Sequence, residues 1–422
     1  MAKKKTSKSG NKKGDFWGGA EAETRLPKTS ATKKREPRKF DWRWLLVIPL
    51  LILVLVAALT LNARHEDNTV EKVTSTIDVD NGDLKINWER YQTVDVELTE
   101  NLKISESGTY HLTGSLTDGA VIIDAGVSEV RLILDNVTIN NSAGPAIACL
   151  NAEDLVIELV GENSLSDGES YSADYDTDID GVIYSKADLT FGGSGSLKIA
   201  ANYADAVVGK DDVTIRGGTY NILAADDGIR GKDSAYIVDG SIAIEATGDA
   251  VKSTNVDNFG KGFVMIEGGE ITATTQAKGI DAVHTVLIYG GNLVIDSYDD
   301  AIHSDNYVGV VDGKIEVSAG DDAVHAGREL IIDGGEIDVA KSYEGLEAQA
   351  ITINGGKVNV AASDDGINAG GGTDGSTTNN TQGKTDIFKT DENCVIAING
   401  GEVYVNAAGD GIDSNGYVYF NG

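Results

Sequence analysis

Residues 299–346 read DDAIHSDNYVGVVDGKIEVSAGDDAVHAGRELIIDGGEIDVAKSYEGL, a stretch whose pattern returns every 22 residues. The acidic residues at this spacing, here and earlier in the chain, are Asp205, Asp227, Asp249, Asp300, Asp322 and Glu344. A period of this length, built from strand-favouring residues and glycine-rich turns, predicts the coils of a parallel β-helix. Stacked coils place equivalent residues directly above one another, about 4.8 Å apart.

The columns of equivalent residues define each coil. We call the acidic position p; its full column is Asp180, Asp205, Asp227, Asp249, Lys278, Asp300, Asp322, Glu344, Asp365 and Asp410. Position p+1 is Ala or Gly, p+2 is aliphatic and p+4 is small, so p+2 and p+4 should face the core and p+3 should face outward. A glycine turn such as Gly334-Gly335 follows about twelve residues after p. The pattern predicts an all-β protein, a single-stranded parallel β-helix with three sheets, and crossover chirality makes it right-handed.

The charge of the chain is strongly segregated. The 422 residues carry a net charge of −32, but residues 1–43 hold 14 basic and 5 acidic residues, and residues 44–63 hold none. An acidic remainder of this kind argues against nucleic-acid binding. The uncharged segment is long enough to span a bilayer, and its basic flank predicts a cytoplasmic N-terminus and an extracellular remainder. The alternative is a cleaved signal peptide.

The composition divides the chain into four parts with one insertion. They are a basic, disordered cytoplasmic leader (1–43), a transmembrane helix (44–63), a stalk or cap (64–93), the β-helix ectodomain (94–422) and a polar, mobile insertion (370–393). Gly422 falls where the next glycine turn should begin, so we expect further coils beyond it. Cys149 and Cys394 lie many coils apart and should not form a disulfide. We expect the ectodomain to be a monomer.

The doubled carboxylates at the acidic corner suggest a cation site. Four coils carry Asp at both p−1 and p, namely Asp226-Asp227, Asp299-Asp300, Asp321-Asp322 and Asp364-Asp365. Two like charges about 4.8 Å apart repel by about 3.5 kcal/mol at an effective dielectric constant near 20. Oxygen ligands outside the cell favour Ca²⁺. The alternative is that aspartate simply suits the turn, and Lys278 argues against a metal in its own coil.

The loop before the first regular coil is a second calcium candidate. Asp174, Asp176, Asp178 and Asp180 alternate with other residues, as in the first half of an EF-hand loop. The bidentate glutamate and the flanking helices of that motif are missing. A solvated acidic loop is the alternative.

The p+3 column could contact a ligand. It includes Arg230, Lys252, His303 and His325, cations that could bind a row of sugar carboxylates bridged by Ca²⁺. Tyr298 and Tyr343, just before p, could stack on sugar rings. The alternative is a solvent-facing polar stripe. A transition metal on the two histidines is disfavoured, because no cysteine accompanies them.

Several segments resemble a known family. These are LKISESGTYHLTGSLTDGAVIIDAG, VRLILDNVTINNSAGPAIACLNAEDLVIEL and ADLTFGGSGSLKI, together with the repeats DDGIRGKD, DDAIHS and DDGINA. In order and period they are similar to the clostridial carbohydrate-binding β-helix family, calcium-binding surface proteins of Gram-positive bacteria with a polysaccharide-lyase-like solenoid. The resemblance covers residues 94–422 and implies binding of acidic or plant-type polysaccharides.

The combined prediction is a membrane-anchored cell-surface protein that binds polysaccharide on a Ca²⁺-stabilised β-helix. Two alternatives remain open. One is a calcium-dependent, pectate-type polysaccharide lyase with Arg230, Lys252 or Lys278 as the base. The other is an adhesin or cell-envelope scaffold.

Overall fold

A stack of parallel β-strands makes up nearly all of the described chain. The computed structural model describes residues 70–74, 77, 79, 85–370 and 390–422. It contains 36 strands, one short α-helix, α1 (Val70–Thr74), and a 3₁₀ helix, Trp88–Arg90. Each strand pairs with the strand one coil away, which sorts the strands into three sheets.

Sheet I carries the acidic corner. Its strands, in parallel pairing, are β2 (Leu102–Ile104), β4 (Val121–Asp124), β7 (Ile147–Asn151), β10 (Gly181–Ser185), β13 (Asp205–Gly209), β16 (Ile229–Gly231), β19 (Val251–Ser253), β22 (Ile280–Ala282), β25 (Ile302–Ser304), the first parts of β28 (Val324–Ile332) and β30 (Leu346–Ile353), β32 (Ile367–Ala369) and β35 (Asp413–Ser414).

Sheet II follows sheet I within each coil. Its parallel strands are β1 (Thr93–Leu98), β3 (Gly108–Leu116), β5 (Val130–Asp135), β8 (Asp154–Val160), β11 (Asp188–Gly193), β14 (Asp212–Ile215), β17 (Ser234–Ile237), β20 (Phe263–Ile266), β23 (Thr285–Ile288), β26 (Tyr307–Val310), the second parts of β28 and β30, β33 (Val395–Ile398) and β36 (Tyr417–Phe420).

Sheet III completes the coil. It consists of the end of β3 with β6 (Thr138–Asn141), β9 (Glu162–Asp167), β12 (Ser196–Ala201), β15 (Thr219–Ala224), β18 (Ser241–Ala246), β21 (Glu270–Thr275), β24 (Asn292–Ser297), β27 (Lys314–Ser318), β29 (Glu336–Ser342), β31 (Lys357–Ala362) and β34 (Glu402–Ala407), again all parallel. This three-sheet arrangement is consistent with the predicted β-helix; its right-handed sense stays a prediction.

The predicted register is confirmed in all but one step. The p+2 residues from Val207 to Ile367 align coil by coil and are buried, for example Val251, Ile280 and Ile302. The exception is at the first step, because the structure aligns Gly181, and not Asp180, with Asp205. Asp180 is therefore displaced by one residue from the column to which the sequence assigned it.

The glycine turns between sheets II and III are also confirmed. Gly335 has a φ of +83°, and a Cβ atom there would lie 2.9 Å from the carbonyl oxygen of Gly313 in the preceding coil. A residue with a side chain would be strained at this position and would crowd the neighbouring turn. The repeated glycine thus lets successive coils stack closely.

Part of the predicted stalk packs against the solenoid. Val70, in α1, is fully buried with Phe263 and Leu287 on the outer side of sheet II. Its backbone N–H donates to Asp333 Oδ2 at 2.9 Å. This cover explains why strands β17 and β20 are buried along their whole length, whereas β18 and β21 of sheet III alternate between buried and exposed.

Several predictions concern residues outside the described chain. The leader (1–43), the transmembrane helix (44–63) and most of the insertion (370–393) belong to this group. Over the described ranges, the helices are too short or too polar to cross a bilayer. Cys149 and Cys394 are buried free thiols, as predicted.

Candidate functional site

The acidic corner is a hydrogen-bonded ladder. Asp205 Oδ1 accepts the backbone N–H of Asp227 at 3.0 Å, and Asp227 Oδ1 accepts that of Asp249 at 2.8 Å. Asp300 Oδ1 accepts the N–H of Asp322 at 3.0 Å in the same way. Each of these aspartates therefore binds the backbone of the next coil with one carboxylate oxygen. The turn-stabilising role of aspartate thus accounts for one of the two oxygens of each carboxylate. The second oxygen remains for other partners.

The first part of the ladder obtains positive charge from the p+3 column. We call Asp205, Asp227, Asp249, Arg230 and Lys252 the basic segment. Arg230 contacts Asp205 Oδ2 at 2.5 Å and reaches back to Asp180 Oδ2 at 2.6 Å. Lys252 pairs with Asp249. Burial raises the pKa of Asp205 to about 7 and of Asp227 to about 6, although the cations oppose the shift.

The next part of the ladder has histidine and glutamate at p+3. We call this set the histidine segment; it consists of Asp300, Asp322, Glu344, His303, His325 and Glu347. The two imidazole rings stack with centroids 5.1 Å apart. Burial raises the pKa of Asp300 to about 6 and of Glu344 to about 7.

His325 joins two carboxylates inside the histidine segment. Its Nδ1 lies 3.1 Å from Asp322 Oδ2 and 2.8 Å from Glu347 Oε2. Burial would lower the pKa of His325, but the two carboxylates outweigh burial and raise it to about 10. His303 instead bonds Asp281 Oδ1 at 2.6 Å.

The p+3 side chains are more enclosed than a solvent-facing stripe would be. The side chains of Arg230 and Lys252 are 21% and 28% exposed, and that of His325 is 14% exposed. They point away from the apolar core but fold onto the acidic column. The structure thus places p and p+3 together as one network, whereas the sequence treated them as neighbouring stripes.

Four groups of side chains in the described chain bring at least three potential metal ligands within 4.8 Å of one another. They are Asp205/Asp226/Asp227, Asp299/Asp300/Asp321, Asp322/His325/Glu347 and Asp188/Asp211/Asp212. Two oxygens bound to one Ca²⁺ at about 2.4 Å are at most about 4.8 Å apart, so this spacing suits calcium. The predicted pairs 226/227, 299/300 and 321/322 thus enter such groups, and among the described residues the pair 364/365 does not.

The two aspartate groups of the acidic corner differ in their surroundings. In the first, Arg230 Nε lies 3.8 Å and Lys252 Nζ 3.9 Å from Asp227 Oδ2, so protein cations already balance the charge. In the second, Lys278 Nζ lies 3.3 Å from Asp299 Oδ2, and the p+3 residues are histidines. The second group thus has one lysine where the first has an arginine and a lysine, so the donor set of Asp299, Asp300 and Asp321 is less fully balanced and fits Ca²⁺ better.

The acidic loop does not gather its carboxylates. Asp178 Oδ2 accepts the hydroxyl of Tyr184 at 3.0 Å, and Asp180 Oδ2 is paired with Arg230. Asp174 and Asp176 are exposed and lie near Ser172 and Lys186. Within the described ranges, these four aspartates belong to no convergent group. A calcium ion in this loop stays a prediction.

A cleft of about 870 Å³ lies beside the second aspartate group. It contains both predicted stacking residues, Tyr298 and Tyr343, and Tyr298 is 75% exposed. A hydrogen bond to Asp364 raises the pKa of Tyr343 to about 12. The remaining lining residues are Thr274, Thr275, Gln276, Ala277, Asp296, Ser297, Asp299, Gly320, Asp321 and Lys341. An exposed aromatic face among polar groups is suited to a sugar.

Two local features open this cleft. Gly320 follows Tyr298 by one coil, and a Cβ atom at Gly320 would lie 1.9 Å from the carbonyl oxygen of Tyr298. Strand β29 also contains a bulge, because Val317 pairs with Val339 but Ser318 pairs with Lys341. The bulge brings Lys341 to the cleft wall.

The three residues predicted as lyase bases are all held in ion pairs. Arg230 and Lys252 pair within the ladder, and Lys278 pairs with Asp299. Burial would lower their pKa values, but the carboxylates outweigh burial and raise all three. A general base needs a pKa near the working pH, so this environment works against the lyase role.

Two clusters were missed from the sequence. Asp188 and Asp212 occupy the first positions of β11 and β14, where a second acidic column runs beside Asp211. The 24-residue step between Asp188 and Asp212 hid this column from a search at 22 residues. The approach of Glu347 to His325 was missed because the p+3 column was read for its cations, and its contacts with carboxylates in neighbouring coils were not considered.

Comparison with known proteins identifies the family. The model of the family described as carbohydrate-binding domain-containing protein matches residues 99–366 and 295–393, so this chain belongs to that family. A carbohydrate-binding domain-containing protein of Acetivibrio thermocellus is 32% identical over 145 residues, which are 33% of this chain and 50% of the relative. The matched part thus spans half of that relative.

A solved structure supports the fold. It is that of the polysaccharide lyase-like protein from C. thermocellum, determined as a gadolinium derivative, with a TM-score of 0.51 and 28% sequence identity. The similarity covers 53% of this chain and 99% of that one. The predicted carbohydrate-binding family and the parallel β architecture are therefore confirmed.

Proposed function

We propose that this protein binds an acidic polysaccharide in the cleft at Tyr298 and Tyr343, with Ca²⁺ held by Asp299, Asp300 and Asp321. The observation that carries the proposal is that an exposed aromatic face shares one cleft with Asp299 and Asp321, two of the three members of a convergent aspartate group. Ca²⁺ would bridge the protein carboxylates and the sugar carboxylates, which otherwise repel each other.

The polar residues of the cleft would fix the sugar. Gln276 and Lys341 offer donors to hydroxyl or carboxylate groups, and Tyr298 offers a ring to stack upon. Cleavage is not part of the proposal, because the candidate bases are engaged in ion pairs that raise their pKa values.

The proposed setting is the cell surface. The net charge of +9 over residues 1–43 and the uncharged run 44–63 support a single membrane anchor with the β-helix outside. Topology is tested by protease treatment of intact cells. Protection of the β-helix from digestion would refute this placement.

The binding test compares polygalacturonate with neutral xylan, using the full chain in mild detergent with Ca²⁺ or with a chelator. We expect binding of polygalacturonate that the chelator abolishes. Tyr298→Ala should weaken binding about two- to tenfold, since a stacked aromatic pair contributes about 0.5–1.5 kcal/mol. Tyr404→Ala is the matched control, because Tyr404 is 66% exposed but lies outside the cleft.

The calcium requirement is tested with substitutions of two residues at the same position of the repeat. Asp321→Asn should abolish the calcium dependence, and Asp226→Asn should leave it intact. Equal binding with and without chelator would refute the calcium bridge, and preference for xylan would refute the acidic ligand. Absorbance of unsaturated uronide, followed in the same samples, would reveal lyase activity.

A further inference from the structure

A cluster of potential metal ligands that includes an imidazole lies within the histidine segment. We propose that Asp322, His325 and Glu347 bind one divalent transition-metal ion of the zinc class. None of these residues lines the polysaccharide cleft, so the proposal does not depend on the proposed function. It goes beyond calcium, because it requires an imidazole ligand.

The three ligand atoms converge from two adjacent coils. His325 and Glu347 are register partners in β28 and β30, and Asp322 lies three residues before His325. Their ligand atoms lie within 4.8 Å of one another, with separations from His325 Nδ1 of 3.1 Å to Asp322 and 2.8 Å to Glu347. In a tetrahedral zinc site, ligand atoms are about 3.3 Å apart, so a shift of a few tenths of an ångström admits the ion.

A second observation points to an incompletely satisfied oxygen. The Glu347 side chain is buried, with a relative exposure of 1%, and its Oε2 atom makes no hydrogen bond apart from its ion pair with His325 Nδ1 at 2.8 Å. The same nitrogen also bonds Asp322 Oδ2 at 3.1 Å, so at most one N–H serves two carboxylates. A buried carboxylate oxygen that shares its donor in this way is under-satisfied, and a metal ion would satisfy both carboxylates.

The next coil repeats this feature. Asn368 is the register partner of Glu347, and its Oδ1 atom is also buried without a hydrogen bond. The Asn368 side-chain nitrogen donates to Glu344 Oε2 at 2.9 Å, which leaves the amide oxygen for another partner. Glu347 and Asn368, in the two coils that follow His325, thus present side-chain oxygens that are incompletely satisfied. In the basic segment, the corresponding oxygens take part in ion pairs with arginine and lysine.

The charge balance favours a divalent ion. Asp300, Asp322 and Glu347 are buried here and Glu344 is half-buried, and the p+3 column supplies two histidines in place of arginine and lysine. An imidazole nitrogen with two carboxylates is a ligand set of zinc and related metals, whereas Ca²⁺ prefers oxygen alone.

The test uses the tag-free full chain in detergent, stripped with a chelator and titrated with Zn²⁺ by calorimetry. We expect one Zn²⁺ per chain at this site. Glu347→Gln and His325→Gln should weaken binding by about 100-fold or more, because even loss of an outer-shell partner costs about 10–100-fold. His111→Gln is the matched control, since His111 also pairs with two carboxylates, but through separate nitrogens.

A spectroscopic arm keeps the proposal testable if a variant fails to fold. Co²⁺ bound to the wild-type chain should give the visible absorption of a four-coordinate site, and X-ray absorption at the zinc edge should show one imidazole. Absence of stoichiometric Zn²⁺ binding, a shell without imidazole, or unchanged affinity in a folded Glu347→Gln chain would each overturn the proposal. Retention of Zn²⁺ binding in Asp321→Asn would separate this site from the calcium site.

Discussion

The basic and histidine segments use one backbone pattern and balance its charge differently. In both, aspartates such as Asp205 and Asp300 accept the backbone N–H of the next coil. In the basic segment, Arg230 and Lys252 then pair with the remaining oxygens. In the histidine segment, one nitrogen of His325 serves two carboxylates, those of Asp322 and Glu347. The comparison indicates that the ladder itself is structural. Under the two metal proposals, the residue at p+3 would decide whether the chain or the solvent supplies the cation.

The largest effect should follow removal of a cation from the basic segment. Arg230→Gln leaves Asp205 and Asp180 without their guanidinium, and we expect a loss of about 3 kcal/mol in the free energy of unfolding. Chemical denaturation measures it. Arg90→Gln is the control, because the Arg90–Glu129 pair is exposed and should cost nothing measurable. If the two variants lost the same free energy of unfolding, the buried ion pairs of the basic segment would contribute no more than an exposed pair.

Calcium should stabilise the chain through the group formed by Asp299, Asp300 and Asp321. At a Ca²⁺ concentration about 100 times the dissociation constant, we expect a gain of about 2.7 kcal/mol. Thermal unfolding with and without chelator measures the gain. Asp321→Asn should remove it and Asp226→Asn should preserve it. If both variants lost the gain equally, the basic segment would also be binding calcium.

Glycine substitutions should separate stability from binding. In Gly320→Ala the new Cβ would lie 1.9 Å from the Tyr298 carbonyl oxygen, and in Gly231→Ala it would lie 1.8 Å from that of Ser234. Each should lose about 1–3 kcal/mol of stability. Only Gly320→Ala should also lose polygalacturonate binding, measured by calorimetry. Gly411→Ala is the control, since a Cβ there meets no atom within 4 Å.

The stability of the chain should also depend on pH. Burial raises the pKa of Asp205 from 3.8 to about 7, so the folded chain binds this proton more tightly than the unfolded chain. The stability that this group contributes is therefore lost as pH rises from about 4 to about 7. The slope of melting temperature against pH, measured in chelator, should be flatter in Asp205→Asn. An unchanged slope would show that Asp205 is charged throughout.

The period of the repeat was sufficient to predict the register, because p+2 residues such as Val251 and Ile302 must face the core. The same period predicted that Asp299 and Asp321 would approach each other, as they do. The pairing of Asp180 with Asp205 was wrong, since the chain enters that coil through an irregular loop whose length carries no register signal.

Contacts that depend on the length and conformation of side chains could not be predicted from the sequence. Arg230 spans two coils to Asp180, and His325 turns towards Glu347; both choices depend on rotamers and not on spacing. The bulge that brings Lys341 to the cleft does not alter the columns of small and aliphatic residues, so the sequence pattern could not predict it. The family resemblance was confirmed at the level of carbohydrate binding, because order and period are properties that a sequence carries directly.

The position of α1 has a mechanical consequence. Val70 is fastened to Asp333 and packs beside Phe263, far along the solenoid from β1, which follows it in the chain. A pulling force transmitted along the backbone from residue 69 would therefore be borne first by the middle coils. The first coils would carry no load. They would stay folded under tension until the contact between α1 and the middle coils had broken.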